Sequence, residues 1–229
     1  SQFLSKSMRS TKLADLLEDT LPQTQCTKCG YPDCRAYAEA MANGELPNRC
    51  PPGGQEGIIR LSQILEFKLN EKTKQINPEC GIERPRPVAL IDPKACIGCT
   101  LCIQACPVDA IVGASKQMHT VLPEWCTGCD LCVAPCPVDC ITMINTTNDQ
   151  TGWDAWSSSQ ADLARARYQT HQERLEREER DNELRLAKKA KAKLAALDES
   201  QAGSQTELDE IERKRAIIAA AIARVKHSN

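Results

Sequence analysis

Aromatic residues make up only 3 % of this 229-residue chain, two Phe, three Trp and three Tyr. That is too few for one large conventional core, so a compact region must draw stability from elsewhere. No apolar run approaches the ~18–20 residues that a membrane-crossing helix needs. Net charge is only −2, which gives no reason to expect nucleic-acid binding. The three histidines (His119, His171, His227) are scattered, and no Walker A loop is present. Pro51-Pro52-Gly53-Gly54-Gln55-Glu56-Gly57 superficially suggests a dinucleotide loop, but no strand precedes it. A turn feeding a helix from about Ile58 to Asn70 is the better reading. Nucleotide, flavin and acid–base sites are therefore not expected, nor any substrate site of the chain's own.

Cysteine is abundant instead, with fourteen residues. No secretory h-region opens the sequence, so metal ligation is favoured over disulfides. Cys96-x2-Cys99-x2-Cys102-x3-Cys106-Pro107 is followed, 30 positions on, by Cys126-x2-Cys129-x2-Cys132-x3-Cys136-Pro137. Zinc sites use two cysteine pairs, commonly with His, and do not fit this grammar. Two runs of this kind are the ligand pattern of a bacterial-type ferredoxin with two [4Fe–4S] clusters, each fourth cysteine crossing to the other cube. One ligand set is then Cys96, Cys99, Cys102 and Cys136, and the other Cys126, Cys129, Cys132 and Cys106. Gly98 and Gly128 supply the sharp turns that put three thiolates on one cube. Cys140 matches Ala110 in the repeat and reads as a small core residue.

A second constellation precedes it, Cys26-x2-Cys29-x4-Cys34 and then Cys50-Pro51. The alanine-rich stretch from Arg35 to Asn43 is helical and can return Cys50 to the loop, with Gly44 as C-cap. Spacing alone divides this site between a third [4Fe–4S] cluster and a structural zinc. The neighbouring ferredoxin pattern favours the cluster. Cys80 has no partner spacing and stays unassigned.

The expected class is α+β, in six parts. Residues 1–25 hold an N-terminal helix, 26–70 the four-cysteine helical module and 71–87 a proline-bearing linker. The double-cluster ferredoxin domain occupies 88–147, a second linker 148–159 and a helical hairpin or coiled coil 160–229. In the ferredoxin domain, strands are expected at Val88–Asp92 with Ala110–Gly113, and at His119–Leu122 with Cys140–Ile144. In the tail, Leu208, Ile211, Ile218, Ile222 and Val225 form a heptad seam that pairs with Leu184–Leu197. A solvated charged tail is the competing reading. Residues 1–156 carry 14 Lys/Arg against 18 Asp/Glu, so an acidic, cluster-bearing head suits basic redox partners.

The order of these parts resembles the B subunit of the Rnf/Rsx electron-transport complex. The resemblance rests on Cys26-x2-Cys29-x4-Cys34 with Cys50-Pro51-Pro52-Gly53-Gly54, on Cys96-Ile97-Gly98-Cys99, on Ala105 to Ala114, and on Met118-His119-Thr120-Val121. It implies an iron–sulfur protein at the cytoplasmic membrane face, in a complex that moves electrons between ferredoxin and NAD and couples this to ion translocation. Set against the family pattern, the sequence is expected to lack the membrane-anchoring helix and to add a helical extension. Three [4Fe–4S] clusters are thus expected to relay low-potential electrons between redox proteins: ferredoxin, a flavoprotein or an NAD-linked oxidoreductase. Location is expected to be cytoplasmic, peripheral through partner subunits, with the tail mediating assembly. The alternative is a metal-stabilised scaffold whose tail recruits partners.

Overall fold

A computed structural model describes residues 2–199 and 204–227, with side chains for 10–197 and 204–220. The chain divides into two compact units, one running to His171 and one from Gln172 onwards.

Within the first unit, helix α1 (Gln2–Asp19) is longer than the short N-terminal helix expected, and α2 (Cys34–Ala42) follows the first cysteine loop. Asp33 starts α2 by accepting the Ala36 N–H at 2.7 Å. Gly44 (φ +107°) lies just past the end and donates to the Met41 carbonyl. Helix α3 (Gly54–Ile64) begins before and stops short of the expected span, closing at Leu65. Leu17, Leu21, Tyr37, Met41 and Leu61 from these elements form one core beside Cys29. The 71–87 stretch is tied down rather than free. Asn48 accepts the Asn77 N–H through its backbone oxygen at 2.8 Å and donates its side-chain amide to Gln75 O at 3.0 Å. A 3-10 turn there, Pro78–Cys80, buries Cys80.

The ferredoxin region is two antiparallel pairs, but not the pairs expected. Strand β1 (Pro87–Ile91) pairs with β4 (Ile141–Asn145), and β2 (Ile111–Val112) with β3 (Thr120–Val121). The first strand of one half therefore joins the last strand of the other. The halves interlock because each buries its apolar face (Val88, Ile91, Ile111, Ile141) in a core they share. The 30-residue repeat recurs in the backbone: φ is +70° and +72° at Gly98 and Gly128, +68° and +60° at Thr100 and Asp130, and +51° and +48° at Asp109 and Asp139.

Helix α5 (Ser158–Glu199) starts within the first unit, after the short α4 (Leu101–Ala105) of the first ferredoxin half. Trp156, Ala161 and Ala164 are buried, so 148–159 ends as packed structure where a linker is expected. Polar and aromatic contacts fix the first turns of α5. Arg165 pairs with Asp19, the Tyr168 hydroxyl lies 3.2 Å from Asp33 Oδ2, His171 Nδ1 lies 2.8 Å from Asp109 Oδ1, and the Arg167 guanidinium sits 4.3 Å from the Trp125 ring centroid.

In the second unit the rest of α5 is followed by α6 (Gln205–His227). Arg215 Nη2 donates to the Leu197 carbonyl at 3.2 Å, linking the two helices. Leu184 and Leu208, which the seam would cover, are 68 % and 47 % exposed. The side chains of Ile222 and Val225 lie outside the described residues. No helix among the described residues is long and apolar enough to cross a membrane.

Candidate metal centres

One cavity gathers cysteines from both runs. Cys106, Cys126, Cys129 and Cys132 line one recess together with Ala89, Val108, Ala110, Ile111, Thr127, Asp130 and Met143. Cys106 thus stands with the cysteines of the second run. Burial pushes the Cys129 thiol up to about 12, and the charges of Cys106, Cys132 and Cys126 push the same way. The Ala110 N–H donates to Cys106 Sγ at 3.2 Å.

Cys96, Cys99 and Cys102 gather around their own Gly98 turn. Burial raises the Cys102 thiol, and the charges of Cys99 and Cys96 add to it. Cys136 Sγ lies 3.5 Å from Cys140 Sγ, and Cys140 in turn feels the charge of Cys96. Burial, then a hydrogen bond with Cys136 and the charges of Cys136 and Cys96, hold the Cys140 thiol up. His119, only 2 % exposed, places Nδ1 3.2 Å from Cys102 Sγ. Sequence reasoning gave His119 no role at the site, because a lone histidine just before a strand carries no ligand spacing. The one clue is Gly113, where an added Cβ would collide with His119 Cδ2.

In the first module α2 returns the chain so that Cys50 faces the loop. Burial raises the Cys50 thiol well above its usual range, followed by the charges of Cys26 and Cys34 and, more weakly, Cys29. Two buried glutamines shape that loop. Gln25 Oε1 accepts the Cys34 N–H at 2.9 Å, while Gln25 Nε2 donates to Gln23 Oε1 at 3.0 Å. Arg49 Nε donates to the Cys29 carbonyl at 2.9 Å. Cys80 is buried nearby, and its charge bears on Cys29.

The first module docks directly on the second cysteine run. Thr127 Oγ1 donates to the Thr24 carbonyl at 2.9 Å, and Lys28 Nζ meets Asp130 Oδ2 at 2.8 Å. Trp156 Nε1 donates to the Pro22 carbonyl at 2.8 Å, and Arg86 stacks over the Trp156 ring while donating to the Cys126 carbonyl.

Among the described residues, no three His, Cys, Asp or Glu side chains stand close enough to hold a single metal ion. A four-thiolate zinc site would need its sulfurs ~3.8 Å apart, from Zn–S bonds of about 2.3 Å in a tetrahedron. The Cys106, Cys126, Cys129 and Cys132 thiols around one recess suit a four-iron cube, whose thiolates bind at separate corners.

Residues 89–143 match the family described as "4Fe-4S dicluster domain", and residues 21–52 the family described as "Putative Fe-S cluster". The chain therefore carries a 4Fe–4S dicluster domain. Three relatives share one name, each being the B subunit of an ion-translocating oxidoreductase complex. The protein from Azoarcus sp. (strain BH72) is 56 % identical over 111 residues, covering 48 % of this chain and 58 % of that protein. The one from Serratia proteamaculans (strain 568) is 54 % identical over 144 residues, covering 62 % and 74 %. The one from Hahella chejuensis (strain KCTC 2396) is 56 % identical over 144 residues, covering 63 % and 71 %. The chain thus spans somewhat more than half of the Azoarcus protein and about three quarters of the Serratia one. No solved structure matches it. With two iron–sulfur domains in this order and identity above one half across about three quarters of a relative, the chain belongs to the B-subunit family of ion-translocating oxidoreductase complexes.

Proposed function

We propose that the chain relays low-potential electrons through three [4Fe–4S] clusters between redox proteins. Cys26, Cys29, Cys34 and Cys50 would hold the first. Cys96, Cys99, Cys102 and Cys136 would hold the second, and Cys126, Cys129, Cys132 and Cys106 the third. Bound there, each cluster supplies reversible one-electron redox chemistry, and all-cysteine ligation keeps the potential low. The chain's own residues supply position and insulation. Val108, Ala110 and Ile111 wall the Cys106 recess against water, and Gly98 and Gly128 bend the ligand loops. The observation that carries the reading is the recess shared by Cys106, Cys126, Cys129 and Cys132, with the Cys26 loop docked against it through Thr24 and Lys28. Donor and acceptor are redox proteins of the ferredoxin, flavoprotein or NAD-linked kind. Attachment to the inner membrane face comes through partner subunits, with exposed Leu184, Leu186 and Leu208 available to a partner helix. Mixing the reduced, iron-loaded chain with an oxidised ferredoxin tests the relay. Rapid loss of the reduced signal is expected, and a chain that cannot be reduced or re-oxidised by proteins overturns it.

A further inference from the structure

We infer that His119 and Cys140 make the centre held by Cys96, Cys99, Cys102 and Cys136 the higher-potential member of the ferredoxin pair. This rests on the ligand sets proposed above. A thiolate bound to iron can only accept hydrogen bonds, and each bond it accepts favours the more negative, reduced state.

The 30-residue repeat provides an internal control. At the fourth cysteines the backbone surroundings correspond: Val108 and Ala110 lie at Cys106, where the Ala110 N–H donates to Sγ at 3.2 Å, and their counterparts Val138 and Cys140 lie at Cys136. Side-chain donors are not matched. His119 Nδ1 is 3.2 Å from Cys102 Sγ, and Cys140 Sγ is 3.5 Å from Cys136 Sγ. Both acceptors belong to one ligand set. The counterpart of His119 is Ala89, which lines the other recess and has nothing to donate. The counterpart of Cys140 is Ala110, equally inert.

The tautomer follows from the surroundings. His119 Nε2 is buried without a partner among the described residues, so a proton there would be stranded, whereas a proton on Nδ1 meets a thiolate. Gly113 makes the seat possible, since an added Cβ would collide with His119 Cδ2.

A direction of flow follows. The Cys26 loop abuts the Cys126 loop, so an electron from the first module meets the centre of Cys126, Cys129, Cys132 and Cys106 first. It then moves downhill: the Cys126 centre is oxidised by one electron as the Cys96 centre is reduced by one. No proton is transferred.

Potentiometric titration of the iron-loaded full chain, followed by electron paramagnetic resonance, tests this. Cys126→Ser, which removes one signal, assigns the couples. In the wild type the Cys96 centre should have the higher potential of the pair. His119→Leu and Cys140→Ala should each lower that couple by about tenfold in the reduced-to-oxidised ratio, ~59 mV for one electron, with its neighbour unmoved. His119→Gln, which keeps an N–H donor, should restore most of the shift. Normal iron content with an unchanged gap between the couples in both variants would overturn the inference. If His119→Leu loses iron, Cys140→Ala decides alone, since alanine is what the repeat already carries at position 110. A wild-type chain that takes up no iron would instead refute the ligand sets themselves.

Discussion

At Gly128 an added Cβ would stand 2.5 Å from the Pro87 carbonyl oxygen, in a residue whose φ of +72° already disfavours any side chain. Gly44 has φ +107° but open space around it. The pair separates strain from collision. Gly44→Ala should cost about 1 kcal/mol by backbone strain alone. Gly128→Ala adds a backbone clash beside a ligand loop, so it should cost at least about 2 kcal/mol and reduce iron content. Denaturant unfolding with iron analysis distinguishes them; equal losses would mean that the Pro87 contact is unimportant. The crossing ligand is tested at the same scale. Cys106→Ser should damage the centre of Cys126, Cys129 and Cys132 and spare that of Cys96, Cys99 and Cys102. Spectra showing the opposite loss would reverse the assignment. The turn glycines were legible because a three-cysteine loop demands them. The glutamines of the first module were not, since their role depends on which backbone N–H groups the fold leaves without partners.

Among the elements, the first turns of α5 matter most to the head. They touch Asp19 at the end of α1, Asp33 at the start of α2, and Asp109 and Trp125 of the ferredoxin region. Trp156, only 5 % exposed and bonded to the Pro22 carbonyl, anchors the approach to this helix. Trp156→Ala should cost about 3–5 kcal/mol and open the segment after residue 147 to limited proteolysis. Wild-type stability and cleavage pattern in that variant would show the anchor to be dispensable. Truncation gives a second test. Cutting after His171 should leave iron content intact, whereas cutting after Gln150 should lower it by stripping Trp156, Ala161 and Ala164 from the head. Equal iron in both truncations would show that these buried residues are dispensable to the head. Composition misleads here: α5 reads as one charged helix from residue 160, and its buried residues Ala161, Ala164 and His171 carry little hydropathy signal.

On the scale of the molecule, the ferredoxin core has thirteen buried residues, of which Cys102, Cys106, Cys126, Cys132, Cys136 and Cys140 are six. With so few aromatics, ligation to iron must supply much of the head's stability. The ligand grammar, the 30-residue repeat and the class of fold were legible because cluster chemistry fixes cysteine spacing. Strand partners were not, because β2 and β3 are two residues each and pair through an interlocked core rather than by local sequence. The docking of the Cys26 loop on Thr127 and Asp130 was equally hidden, resting on single polar contacts about a hundred residues apart. The relay depends on that docked arrangement carrying three cubes. The direct measurement is iron and acid-labile sulfide per chain in anaerobically prepared protein, combined with reductive titration. The account predicts about twelve irons and three one-electron equivalents, the sum for three four-iron cubes. About eight irons with one zinc, or only two reducing equivalents, would contradict it.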